Sequence, residues 1–203
     1  MRLKHVILAV EDELGEAVST QILKRFDIEI WNTVFGEGYT YLQRKAMEFN
    51  RSANGVAIFM LTDLDSPQNC PPRLIQSWIK GALNPQFFFR VAVMEVESWV
   101  MADRNGTANF LSIPVNRIPR NIDEIPNPKE FLVSLARRSQ KRTVREALIP
   151  AQGAILPVGN EYNAFLSKFV KEHWNLERAA TTSPSLKRTL DRLAQGKNVS
   201  ANQ

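Results

Sequence analysis

The chain has 203 residues, 44% of them hydrophobic and 23% charged, the balance of a globular protein large enough to bury a core without disulfides or a structural metal. A single cysteine, Cys70, excludes an intramolecular disulfide and any multi-cysteine zinc site, and two histidines, His5 and His173, make a poor basis for a histidine metal centre. The net charge of +5 is unevenly spread: residues 1–103 hold 10 basic and 13 acidic side chains, whereas residues 104–203 hold 16 and 8. That asymmetry predicts an acidic site in one half and a basic surface in the other.

In chain order, the apolar run Leu3–Val10 predicts a buried strand. Acidic residues follow it where a signal-peptide cleavage site would need small ones, and no segment is apolar for long enough to span a bilayer, so the chain is expected to be cytoplasmic and not membrane-bound. Leu14, Ala17, Val18, Ile22 and Leu23 give helical spacing over Glu13–Phe26. A second strand is expected at Ile28–Val34, a helix around Tyr41–Phe49, and a central strand at Val56–Leu61. Prolines open a helix at Arg73–Leu83, Phe87–Met94 reads as a fourth strand, and Glu95–Arg104 as a fourth helix. This βα alternation predicts an α/β fold with a largely parallel four-stranded sheet flanked by helices over residues 1–105.

Pro114, Pro119, Pro126 and Pro128 then predict a linker or irregular insertion. Helices at Phe131–Leu148, Tyr162–Trp174 and Ser185–Gln195 make residues 106–196 a mainly helical C-terminal extension packed on the sheet domain, with 197–203 as a disordered tail.

Open α/β sheets place their sites at the carboxyl ends of the strands. Acidic residues follow three of the four predicted strands: Glu11, Asp12, Glu13 and Glu16 after the first, Asp63 and Asp65 after the third, and Glu95, Glu97 and Asp103 after the fourth. Each group alone is explained by the preference for acids in a helix's first turn. Together, carboxylates this crowded need a cation or raised pKa values, and hard oxygen ligands favour Mg²⁺ or Mn²⁺.

The glutamate after the first strand and the Asp-x-Asp after a later one resemble the signature of the TOPRIM domain of topoisomerases, primases, recombination proteins and overcoming-lysogenization-defect nucleases. The strings Val10-Glu11-Asp12-Glu13-Leu14, Leu61-Thr62-Asp63-Leu64-Asp65, Arg90 to Asp103, and Ser183-Pro184-Ser185-Leu186-Lys187-Arg188 resemble more closely a bacterial TOPRIM-like family of unknown function. The resemblance covers most of the chain. It implies a TOPRIM-like fold, Glu11, Asp63 and Asp65 as catalytic and metal-binding residues, Glu95 and Glu97 as further metal ligands, and a setting in phage defence beside an ATPase partner. The usual TOPRIM glutamate precedes a glycine; here Asp12 follows and the first glycine is Gly15, which leaves Glu11, Glu13 and Glu16 open for that role.

The predicted helix Phe131–Leu148 carries Arg137, Arg138, Lys141, Arg142 and Arg145, of which 138, 141, 142 and 145 share one face. A charge run of this kind is usually a solvated helix face, but the acidic site of opposite sign favours contact with a nucleic-acid backbone. Lys187 and Arg188 stand in the first turn of the last helix and hint at a further anion contact. The expected function is a metal-dependent phosphodiesterase, a nuclease above all. The alternative is a non-catalytic TOPRIM-fold subunit of an ATPase complex that binds nucleic acid or acts as a sensor.

Overall fold

The computed structural model describes residues 3–36 and 38–199. Four strands, β1 (His5–Val10), β2 (Glu29–Phe35), β3 (Ile58–Asp63) and β4 (Phe87–Ala92), form one sheet in the order β2-β1-β3-β4. Every pairing is parallel, as the βα alternation predicts. The chain leaves β1 to one side for β2 and returns to the other side for β3, so the direction of winding reverses between β1 and β3.

Alternation along the strands divides the interior into two layers. Val6, Leu8, Val10, Phe59, Leu61, Phe88 and Ala92 face a large core shared with α1 (Glu13–Arg25). Ala9, Ile58, Met60, Phe87, Phe89 and Val91 face a smaller one with α2 (Tyr39–Ser52) and α3 (Pro71–Trp78). The edge strand β2 carries exposed Trp31 and Phe35, and a register shift opposite Val6 and Ile7 interrupts its pairing. A bulge of this kind twists an edge strand away from unwanted partners.

The large core does not stop at residue 105. It runs through α4 (Val96–Ala102), whose seven residues are all buried, and α5 (Arg104–Leu111). It continues through α6 (Pro128–Ala136), α7 (Arg142–Leu148), α8 (Tyr162–Glu172), α9 (Leu176–Thr182) and α10 (Pro184–Val199). The proline-marked stretch expected as a linker holds two short 3-10 turns, and its Ile118 and Ile122 are fully buried. Its prolines punctuate a packed segment, because isoleucines between them supply an apolar anchor at each turn. Of the tail expected at 197–203, residues 197–199 belong to α10, and residues 200–203 lie outside the described residues.

Two polar anchors fix the helical part. Asp103 is completely buried, caps α5 through Gly106 N–H, accepts Asn175 N–H at 2.9 Å, and takes both a 2.8 Å and a 2.9 Å bond from the Arg178 guanidinium. A Cβ on Gly106 would stand 2.2 Å from Asp103 Oδ2, so only glycine lets this carboxylate turn in. At the start of α10, Asp123 accepts Ser183 Oγ–H and Ser185 N–H, while Trp99 Nε1–H donates to Ser185 Oγ at 2.7 Å. Asp103→Ala removes an acceptor shared by four N–H donors from three residues. We expect a loss of about 3 kcal/mol in urea unfolding, the scale for leaving a buried charge network without one partner, and a smaller loss for Arg178→Gln, whose side chain is half exposed.

Candidate functional site

β1 and β3 end side by side at the point where the winding reverses, the place where open α/β sheets put their sites. Glu11 is the first residue after β1 and Asp63 the last of β3. Glu11 Oε1 accepts the Thr62 hydroxyl at 2.5 Å and the Asp63 amide at 3.3 Å, which draws the β1 carboxylate over the end of β3. Both bonds fall on Oε1, so Oε2 is the oxygen left for a ligand. Asp63 Oδ1 in turn accepts Val96 N–H, the opening amide of α4, at 2.9 Å.

The loops after β3 and β4 are tied to one another. Leu64 N–H points at the carbonyls of Ala92 and Met94, and Asp65 N–H at that of Met94. Asp65 and Met94 both have left-handed backbones, at φ 54° and 64°. An aspartate tolerates that conformation, whereas an unbranched but bulky methionine adopts it only under constraint, a feature that concentrates at functional sites.

Glu95 and Glu97 complete the cluster. Glu95 Oε2 accepts the backbone N–H of Lys129 at 2.6 Å. Glu97 is 1% exposed; its Oε1 accepts the Tyr162 hydroxyl at 3.0 Å and stands 3.7 Å from Lys129 Nζ. Its Oε2 is buried with no hydrogen-bond partner among the described residues. Asp12, the N-cap of α1, accepts Gly15 N–H through Oδ1 and Asn163 Nδ2–H through Oδ2 at 3.2 Å.

The electrostatics follow from crowding in a dry place. Burial, then the charges of Glu97, Glu11 and Asp65, push the Asp63 carboxyl far above its ordinary value. Burial raises Glu11, Asp65 and Glu95 as well, and lifts Glu97 to about 7 although Lys129 opposes it. Lys129 responds in the opposite sense: burial would lower its ammonium, but Glu97, Glu95, Asp63 and Asp12 hold it well above the usual lysine range. Tyr162 is held neutral by burial and by the negative charge of Glu97.

The structure therefore brings together Glu11, Asp63, Asp65, Glu95 and Glu97. Of the three glutamates after β1 only Glu11 bonds to the β3 end; Glu13 and Glu16 line a cleft with Lys168 and Lys171 of α8. Asp103 belongs to the Arg178 anchor. Lys129 and Tyr162 could not be found by reading forward from the strands, because they lie 32 and 65 residues beyond Glu97. An Asn-Pro-Lys at a helix start offers no charge pattern; only the fold carries it to the cluster.

The donor set suits a hard divalent cation: every ligand is an anionic oxygen, and Glu97 presents a buried oxygen without a partner. Among the described residues, no three acidic, histidine or cysteine side chains are gathered into a ready coordination sphere. The cluster's positive charge comes from Lys129.

The basic stripe is corrected. The expected helix Phe131–Leu148 is two helices, α6 and α7, separated by a turn at 137–141. Arg137 and Arg138 are exposed on the turn and Lys141 caps α7, so positions 138, 141, 142 and 145 do not share a helix face. Ser139 makes the break: buried, it exchanges bonds with Lys141 through its hydroxyl, while its carbonyl accepts Arg145 Nη1–H at 2.5 Å. Arg142 pairs with Glu146, and Lys187 with Asp191. Asp123 already occupies the α10 start where an anion was expected, leaving Arg188 exposed.

The raised carboxyls give a sign for pH. Folded, Glu97 keeps its proton to about pH 7; unfolded, it releases it near 4.5. The folded state therefore binds more protons in that window, and stability contributed by Glu97 is full below 4.5 and lost as pH rises through 7. Asp63 and Glu11 act in the same direction. In chelator, Tm is expected to fall from pH 4.5 to 7.5, and Glu97→Gln, which keeps the acceptor for Tyr162, to flatten that slope.

Comparisons with protein-family models, with curated proteins and with solved structures find no match for this chain.

Proposed function

We propose that this chain is a metal-dependent phosphodiesterase, a nuclease of the TOPRIM type, acting on nucleic acid. The observation that supports this is the convergence of carboxylates from the ends of β1, β3 and β4 where the sheet's winding reverses, with Asp63 and Glu97 too crowded and too buried to ionise freely. Structural acids at helix starts need no such gathering. Glu11, Asp63 and Asp65 would hold Mg²⁺ or Mn²⁺, with Glu95 and Glu97 as further ligands. A bound cation of this kind lowers the pKa of water and neutralises charge on a phosphoryl oxygen.

The chain's own groups prepare that chemistry. Thr62 and the Asp63 amide fix Glu11 through one oxygen, and Val96 N–H fixes Asp63 through one oxygen, so each carboxylate keeps its other oxygen for a cation or a water. Tyr162 locks the Glu97 rotamer from α8. Lys129 supplies an ammonium beside the cluster, placed to attract a phosphate as well as to offset the acids. No described helix is long and apolar enough to cross a membrane. We assign the chain to the cytoplasm, where an exposed thiol such as Cys70 persists, and to phage defence beside an ATPase.

Two observations favour a second reading, a non-catalytic subunit that binds nucleic acid or acts as a sensor: Lys129 already neutralises part of the cluster, and no coordination sphere is preformed among the described residues. Asp63→Asn decides between them. On the first reading it reduces Mn²⁺-dependent cleavage of DNA or RNA by at least about a hundredfold, the scale for losing a charged group at a reacting centre, with the fold kept. On the second, wild type and variant are equally inert, whatever they bind.

Nucleic-acid binding by the basic turn has its own test. Arg137, Arg138, Lys141 and Arg142 are exposed, whereas Arg145 holds the turn together. Replacing the first four by Gln is expected to weaken binding evenly across sequences and to flatten the salt slope by roughly 0.7–0.9 for each phosphate that is no longer neutralised, with Tm almost unchanged. Arg145→Gln is expected to lower Tm instead.

A further inference from the structure

At the opposite edge of the sheet from β2, two neighbouring arginines, Arg90 and Arg192, have no counter-ion among the described residues. Arg90 is the one charged residue of β4 and shares a strand face with Phe88 and Ala92. It is partly buried, and its Nε–H is spent on the carbonyl of Phe89 at 2.6 Å. From α10, which packs on β4, Arg192 lays its guanidinium carbon 5.4 Å from the centre of the Phe88 ring and turns one Nη2–H toward the carbonyl of Pro85. Gly196, one turn further, lets the helix approach, because a Cβ there would stand 2.7 Å from the Phe88 ring.

Among the described residues no carboxylate lies within ion-pair distance of either guanidinium, and the remaining Nη hydrogens of both have no acceptor. Burial and the neighbouring Arg192 charge pull Arg90 down to about 10, the mark of a cation held where nothing compensates it. Elsewhere Arg178 is paired with buried Asp103 and Lys129 with buried Glu97. A partly buried cation without an anion is unfavourable, and the guanidinium fork matches the oxygens of a tetrahedral oxyanion. Arg188, exposed one turn before Arg192 on α10, extends the same face.

We propose that Arg90 and Arg192 form an oxyanion-binding site at the β4 edge, taking a phosphate group supplied either by free phosphate or by the phosphodiester of a nucleic-acid strand. The site is separate from the carboxylate cluster and does not depend on its chemistry.

The test uses the full chain and three titrations followed by calorimetry and Tm: sodium phosphate, sodium chloride at matched ionic strength, and a short phosphorothioate oligonucleotide in chelator. Phosphate is expected to bind saturably and to raise Tm where matched chloride does not. Arg192→Gln, on an accessible helix face, is expected to weaken phosphate about tenfold, the effect of removing one charge-assisted hydrogen bond. Arg90→Met, which keeps the stem's packing, is expected to abolish the phosphate effect and to raise Tm in phosphate-free buffer, since an uncompensated charge is gone. Oligonucleotide that competes with phosphate in wild type but not in Arg192→Gln identifies a nucleic-acid strand as the source; phosphate binding without such competition identifies free phosphate. Phosphate behaving like matched chloride, or an undiminished phosphate effect in both variants, overturns the site.

Discussion

Crowded negative charge at the carboxyl ends of β1, β3 and β4 is the constraint around which the rest of this molecule is arranged. Two like charges 4 Å apart repel by about 4 kcal/mol at an effective dielectric of 20. A cluster drawn from five residues would push its strands apart unless something opposed it. Three devices do so: easier protonation, since burial raises the Asp63 and Glu97 carboxyls; backbone amides, which Val96 and Asp63 aim at carboxylate oxygens; and one ammonium, Lys129. None is a property of the sheet alone. Lys129 comes from α6, and the hydroxyl that orients Glu97 comes from α8.

The helical half is for this reason part of the site. α4 sits at the junction, its first amide on Asp63, its Glu97 under Lys129 and Tyr162, and its Trp99 bonded to Ser185 at the start of α10. A helix whose every residue is buried cannot serve as a surface connector. It reads instead as the axle on which the sheet and the C-terminal helices are jointly packed, and any change that loosens α6 or α8 would reach the carboxylates through it.

Much of the sheet was legible because each signal was local. Val6, Leu8 and Val10, then Phe87, Phe88 and Phe89, announce strands by composition, and each connection between successive strands is long enough to hold a helix, as a parallel crossover requires. The acidic residues were legible through the rule that strand ends converge. Three things were not. The break in the basic stripe depends on Ser139, a small polar residue whose bonds to Lys141 and Arg145 exist only once the turn forms. Lys129 and Tyr162 act at long range. Asp103 looked like one more acid of the cluster and is a structural anchor, because Arg178, 75 residues later, claims both of its oxygens.

The opposite charges of the two halves also resolve into finer pieces than an acidic face against a basic one. Much of the excess positive charge in the second half is spent internally: Arg178 on Asp103, Lys129 on Glu97, Arg142 on Glu146, Lys187 on Asp191, Arg145 on a carbonyl. What remains uncommitted includes Arg137, Arg138 and Lys141 around the α6–α7 turn, and Arg188 and Arg192 on α10, the last facing Arg90 across the sheet edge. Electrostatic attraction of a polyanion depends on those uncommitted charges, since a cation already in a close ion pair contributes little field at a distance. A nucleic-acid strand drawn to this molecule would thus be steered by two separate basic patches. The carboxylate cluster, in which burial raises every carboxyl and Lys129 stands beside Glu97, would repel it less than five formal charges imply.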